Sequence, residues 1–130
     1  ILEDPEMVWE YLYPEIRSDT VEKVWVLCLD RKNKLIRAEA ITSGTATGSL
    51  VHPREVFRPA IRHGATAIIL AHNHPSGDPT PSSADLRVTK KILEASKVVD
   101  FEMHDHVILG EPENCPKKLG YYSFSESGLI

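Results

Sequence analysis

His72 and His74 stand one residue apart at the end of an apolar run, and Asp85 follows eleven positions after the second histidine. Successive side chains along a strand point to opposite faces, so the two imidazoles project the same way and Asn73 the other way. At a rise of roughly 3.3 Å per residue their Cα atoms stand about 7 Å apart, a spacing at which two ring nitrogens reach one ion. Pro75, Gly77, Pro79 and Pro81 end the strand and restrict the turn, which lowers the entropy lost when a third group is held in place. That third group is Asp85. Neutral imidazole and carboxylate oxygen suit Zn²⁺, and three protein ligands leave a fourth position for water, the pattern of a catalytic site. Zinc so placed acidifies water to a pKa of about 7, and the expected chemistry is hydrolysis. The same three ligands also suit non-haem iron, an oxygen-chemistry alternative that metal analysis separates.

Ser82 and Asp85 also fit a helix capping box, the serine as cap and the acid at the third helical position. A cap accounts for those two residues and does nothing for two histidines at a strand end. The two roles coexist if the helix start orients the carboxylate. Other histidines carry less. His104 and His106 are expected on one strand face, as a structural pair or with Asp105 or His106 orienting a ligand by hydrogen bonding, since a second metal would lack a third ligand. His52 before a helix and His63 at the end of one read as cap or dipole positions. Asn73 faces substrate or bonds the adjacent loop.

The elements that must position these groups alternate between strand and helix, with no internal repeats. Val8, Trp9, Leu12, Tyr13 and Ile16 recur at helical spacing, and Pro14 is expected to end or kink that helix. Residues 24–30 and 35–42 read as an antiparallel hairpin, 43–49 as a flexible loop, and 53–63 as a helix opened by Pro53, shortened or bent by Pro59 and stopped by Gly64. Then come a buried strand at 65–71, a helix at 86–99, a strand at 101–110 and a last strand at 121–126. This is an α/β or α+β sheet domain with helices packed against it.

The 130 residues, 42% of them hydrophobic, are enough for one domain with a real core. A formal charge of −4 and the absence of interleaved arginine and aromatic residues weigh against direct nucleic-acid binding by this chain. No apolar run spans a bilayer and no signal peptide precedes the first helix, so a cytoplasmic chain with no membrane partner is expected. Cys28 and Cys115 are too few for a disulfide framework, which fits a reducing compartment. A chain starting at Ile1 reads as a trimmed or excised domain.

The spacing H-x-H, seven residues, S, two residues, D is matched by His72, His74, Ser82 and Asp85, and it resembles the JAMM motif of the MPN+ metallopeptidases. The wording HNHPSG with PSSAD, preceded by HPRE and followed by DHVILG and YYSFSESG, is similar to the RadC family of bacterial proteins over about Glu22–Ile130. The resemblance implies a mixed β-sheet flanked by helices, of JAMM/MPN and cytidine-deaminase-like architecture, with one Zn²⁺ on His72, His74 and Asp85. RadC proteins also carry an N-terminal helix-hairpin-helix-like region that nothing here matches, which implies the C-terminal, catalytic-like part alone. JAMM enzymes take a non-ligand base from a glutamate upstream of H-x-H. Glu22, Glu39 and Glu55 are the candidates, and the resemblance selects Glu22, at the start of the strand that opens the hairpin. A zinc peptidase or isopeptidase acting on a peptide or protein is then expected, with Glu22 moving the proton and Ser82 hydrogen-bonding the oxyanion. The family's DNA-repair label gives the alternative, a repair-associated module without peptidase activity. Residues 43–49 and 111–120 are the segments expected to shape a substrate groove.

Overall fold

The computed structural model describes residues 1–2, 4–17, 20–44 and 51–130. Five strands, β1 (Glu22–Leu29), β2 (Leu35–Gly44), β3 (Ala67–Asn73), β4 (Glu102–Leu109) and β5 (Tyr121–Ser123), form one mixed sheet in the order β2-β1-β3-β4-β5. The helices are α1 (Pro5–Ile16), α2 (Pro53–Arg62) and α3 (Ser83–Val98). β3 and β4 run parallel, joined by α3 as the crossover that a parallel pair requires, and the other neighbours are antiparallel. This is the α/β architecture of a mixed sheet flanked by helices.

The central strands are buried on both faces, and their alternation sorts the core. Val24, Val26 and Cys28 of β1 and Ile68 and Leu70 of β3 pack with Val56, Phe57 and Ala60 of α2 and Val88 and Ile92 of α3. Trp25, Leu27, Leu29, Ala67, Ile69 and Ala71 point the other way, against Val8, Leu12 and Ile16 of α1. By the same period His72 faces α3 and Asn73 faces away from it. Cys28 and Cys115 are both free and buried. No helix among the described residues is long and apolar enough to cross a membrane.

Several boundaries differ from the sequence reading. Pro14 does not end α1, which runs to Ile16 with Arg17 N–H bonded to Tyr13 O at 3.0 Å. One missing N–H is tolerated because Ile16 is buried in the core and Trp9 Nε1 and Tyr13 OH anchor the helix to Gly110 O and Glu111. β2 continues through Ser43 and Gly44, and the remainder of the expected 43–49 loop lies outside the described residues. α3 starts three residues earlier than its apolar period does, because Ser82 caps it. β5 stops at Ser123, after which the chain turns through Ser127 N–H to Ser123 O.

Candidate metal centre

β3 carries His72 at its last pairing with β1, opposite Val24. His74 follows the strand, its N–H bonded to Leu109 O at 2.9 Å, so the ladder with β4 holds it in place for one more residue. A tight turn then closes through Gly77 N–H to His74 O, with Gly77 at φ +89°, a conformation that favours glycine. Gly110 lets this turn approach β4, since a Cβ there would stand 2.2 Å from Gly77 O. Ser82 and Asp85 form the reciprocal capping box, with Asp85 N–H donating to Ser82 Oγ at 3.1 Å and Ser82 N–H donating to Asp85 Oδ2 at 2.8 Å. The cap also aims the carboxylate at the histidines.

His72 Nε2 stands 3.2 Å from His74 Nε2 and 3.1 Å from Asp85 Oδ1, and His74 Nε2 stands 3.2 Å from Asp85 Oδ2. Glu22 Oε1 lies 3.8 Å from His72 Nε2, and the four groups offer atoms all within 4.8 Å of one another. His74 Nδ1 lies 2.9 Å from the carbonyl oxygen of Asp78 and donates to it, so in the neutral ring Nε2 carries a lone pair. The neutral His74 ring thus turns a lone pair toward His72 and the Asp85 carboxylate. Bonds of about 2.0–2.1 Å to a tetrahedral ion put neighbouring ligand atoms about 3.3 Å apart, close to these separations. The donor set fits a small divalent cation.

The electrostatics agree with that fit. Burial opposes ionisation of Asp85, yet the two histidine rings and the Ser82 N–H hold its carboxyl far below the usual carboxylate range. Burial works against a charged His74, but Asp85 and the Asp78 carbonyl outweigh it and raise the ring's pKa. Both shifts express one preference, for positive charge between ring and carboxylate. Burial raises Glu22, and it pushes His106 well down, which keeps that ring neutral. Beside Glu22, His72 and Asp85, the side chains of Val24, Val51, Leu70 and Val88 enclose a cavity of about 10 Å³, the room of one water-sized sphere.

Of the three candidate glutamates, the fold brings Glu22 to the histidines. Glu39 is engaged by Arg62 at 2.9 Å and by Arg37 and His63, and Glu55 sits in the first turn of α2. Asn73, which the sequence left open, bonds the chain on both sides of Glu22: its Oδ1 accepts from Lys23 N at 2.7 Å and its Nδ2 donates to Val21 O at 3.1 Å. Its placement opposite to His72 was the available signal.

His104 and His106 do not share a face. A bulge in β4 pairs Ile68 with Met103 and Ile69 with Asp105, leaving His104 as the extra residue and restoring His106 to the α3 side opposite Leu70. His104 bonds Asn33 at 2.9 Å, whereas His106 Nε2 meets His72 Nδ1 at 2.8 Å and its ring stacks on Phe124. Asp105 accepts from Ser123 Oγ and from the N–H groups of His106 and Ser125. His52 caps α2 without a side-chain bond. The 111–114 segment packs on the turn after His74 through Glu111 N–H to Gly77 O, and a cavity of about 130 Å³ opens there beside His74, Arg17 and Asn114.

A family model described as the RadC-like JAB domain matches residues 2–129. The chain belongs to the RadC family. The match extends beyond the motif-bearing part to include α1, which holds Gly110 and Glu111 beside the turn after His74. Among relatives, this RadC domain is 46% identical over 127 residues to a UPF0758 protein of Symbiobacterium thermophilum, covering 98% of this chain and 51% of that protein. A UPF0758 protein of Chlorobium phaeovibrioides is 48% identical over 123 residues, covering 95% and 52% of the two chains. One of Methanosarcina barkeri is 39% identical over 126 residues, covering 97% and 52%. The chain spans about half the length of the curated relatives it matches.

Proposed function

We propose that this RadC domain is a zinc-dependent hydrolase that holds one Zn²⁺ on His72, His74 and Asp85 and cleaves an amide bond, peptide or isopeptide, in a peptide or protein substrate. The observation that carries the reading is the convergence of buried His72 and Asp85 with half-buried His74 at 3.1–3.2 Å, and a second carboxylate, Glu22, standing slightly back at 3.8 Å. A bound ion supplies Lewis-acid polarisation of a carbonyl and makes water acidic enough to react near neutral pH. Glu22, clamped through its neighbours by Asn73, takes the proton from the attacking water and returns it to the leaving amine. Ser82 Oγ already accepts the Asp85 N–H, which leaves its own hydroxyl proton to donate to the oxyanion. Loss of such a donor typically costs about 10²–10³ in rate. His74, Asn114 and the 111–114 segment border the space where the substrate chain lies.

The test begins with metal analysis of protein purified without added metal, which separates zinc from iron. A peptide-library screen with a chelator control then assays cleavage, and Glu22→Gln is expected to retain metal while losing turnover. Glu22→Gln turning over like the parent would overturn the base assignment. Salt-dependent DNA binding with no cleavage of any peptide would overturn the hydrolase reading.

A further inference from the structure

We propose that Thr89 and His106 form a buried hydrogen-bond relay that fixes the tautomer of His72, presenting its bare Nε2 to the metal; both are positioning residues, and the inference rests on the metal-centre reading above. The order of protons follows from the far end. Thr89 Oγ1 donates to the backbone carbonyl of Asp85 at 2.8 Å, and a hydroxyl has one proton to give. Toward His106 Nδ1, its other partner, Thr89 is therefore the acceptor. A neutral imidazole that donates from Nδ1 has only a lone pair at Nε2. His72 Nδ1, 2.8 Å away, must then donate to it, and the remaining lone pair of His72 lies on Nε2, which faces His74 and Asp85.

The relay opposes a competing arrangement. With nothing fixing Nδ1, the His72 proton would favour Nε2, where Asp85 Oδ1 at 3.1 Å would accept it and the ligand atom would be blocked. Thr89 and His106 are 3% and 1% exposed, so the protein and not solvent dictates the choice. The relay starts on the peptide carbonyl of one ligand, Asp85, and ends on the ring of another, His72. It thereby ties α3 to β3 through β4, and it exists because the β4 bulge brings His106 to this face. Outer hydrogen bonds of this kind orient metal-bound histidines and raise their basicity, and losing one costs about 10–100-fold in metal affinity.

The experiment uses metal-free parent, Thr89→Val and Thr89→Ser proteins with ¹⁵N-labelled histidine. Two-bond ¹H–¹⁵N spectra, at a pH where both rings are neutral, assign the His72 tautomer. Zinc titration follows. The parent is expected to carry the His72 proton on Nδ1. Thr89→Val, nearly isosteric, is expected to populate the Nε2–H form and bind zinc about 10–100-fold more weakly, and Thr89→Ser to restore both readings. A parent with the proton on Nε2, or a valine variant with the parent's tautomer and affinity, overturns the relay. A parent that shows Nδ1–H but takes up no zinc overturns the metal-centre reading, and the positioning role with it.

Discussion

Asp85 serves the capping box and the cluster at once, and Asp85→Asn separates the two roles. The amide oxygen still accepts the Ser82 N–H, now made at 2.8 Å, and the variant's own N–H still reaches Ser82 Oγ. The metal-free variant therefore keeps its cap and loses the charge that the two histidine rings favour, so it should be less stable than the parent through that loss and not through the helix start. Its response to zinc should differ sharply. At about 100 times the parent's Kd, a ligand specific to the folded state stabilises by ~2.7 kcal/mol, whereas a variant binding ~100-fold more weakly gains only ~0.4 kcal/mol. At about 4 °C per kcal/mol for a chain of this size, zinc should raise the parent's Tm by about 10 °C and the variant's by about 2 °C. Asp85→Ala loses the cap as well and should fall about 1 kcal/mol further without metal. Thermal unfolding with and without zinc, after chelation, measures all three. An equal zinc-dependent shift in parent and Asp85→Asn would refute the assignment of this carboxylate as a ligand.

Three further outcomes are expected. Asn73→Ala removes two bonds that straddle Glu22 and should cost about 1–3 kcal/mol and lower kcat while zinc affinity stays near the parent's; unchanged kcat in a destabilised protein would refute the clamp. Gly110→Ala forces a Cβ against Gly77 O and should cost about 1–3 kcal/mol, which urea unfolding reads; a parental midpoint would contradict the close approach. Asp105 is raised by burial, against bonds from Ser123, Ser125 and His106. Its contribution to stability is therefore complete below its unfolded value of about 3.9 and is lost as pH rises through the higher folded value. Asp105→Asn lacks that dependence and should gain on the parent as pH rises above ~4 in paired urea titrations, and a stability difference that stays level or shrinks as pH rises would count against it.

What the sequence determined by itself is whatever local geometry sets. The two-residue alternation in β3 puts His72 and His74 on one side, and the Ser82–Asp85 spacing puts a carboxylate at a helix start, because strand pleat and helix capping involve neighbours in the chain. The hairpin and the sheet class followed from the same periods. Tertiary structure decided what depends on pairing between distant segments. The register that sets Val24 against His72 brings Glu22, and not Glu39 or Glu55, to the histidines. One extra residue in β4 turned the expected His104–His106 pair into a half-buried histidine bonded to Asn33 and a buried partner of His72. Thr89, an ordinary helical residue by its neighbours, became the end of a relay because α3 crosses from β3 to β4 and lies over both. Strand register and bulges are chosen by the packing of the whole sheet, so no local window of residues carries them.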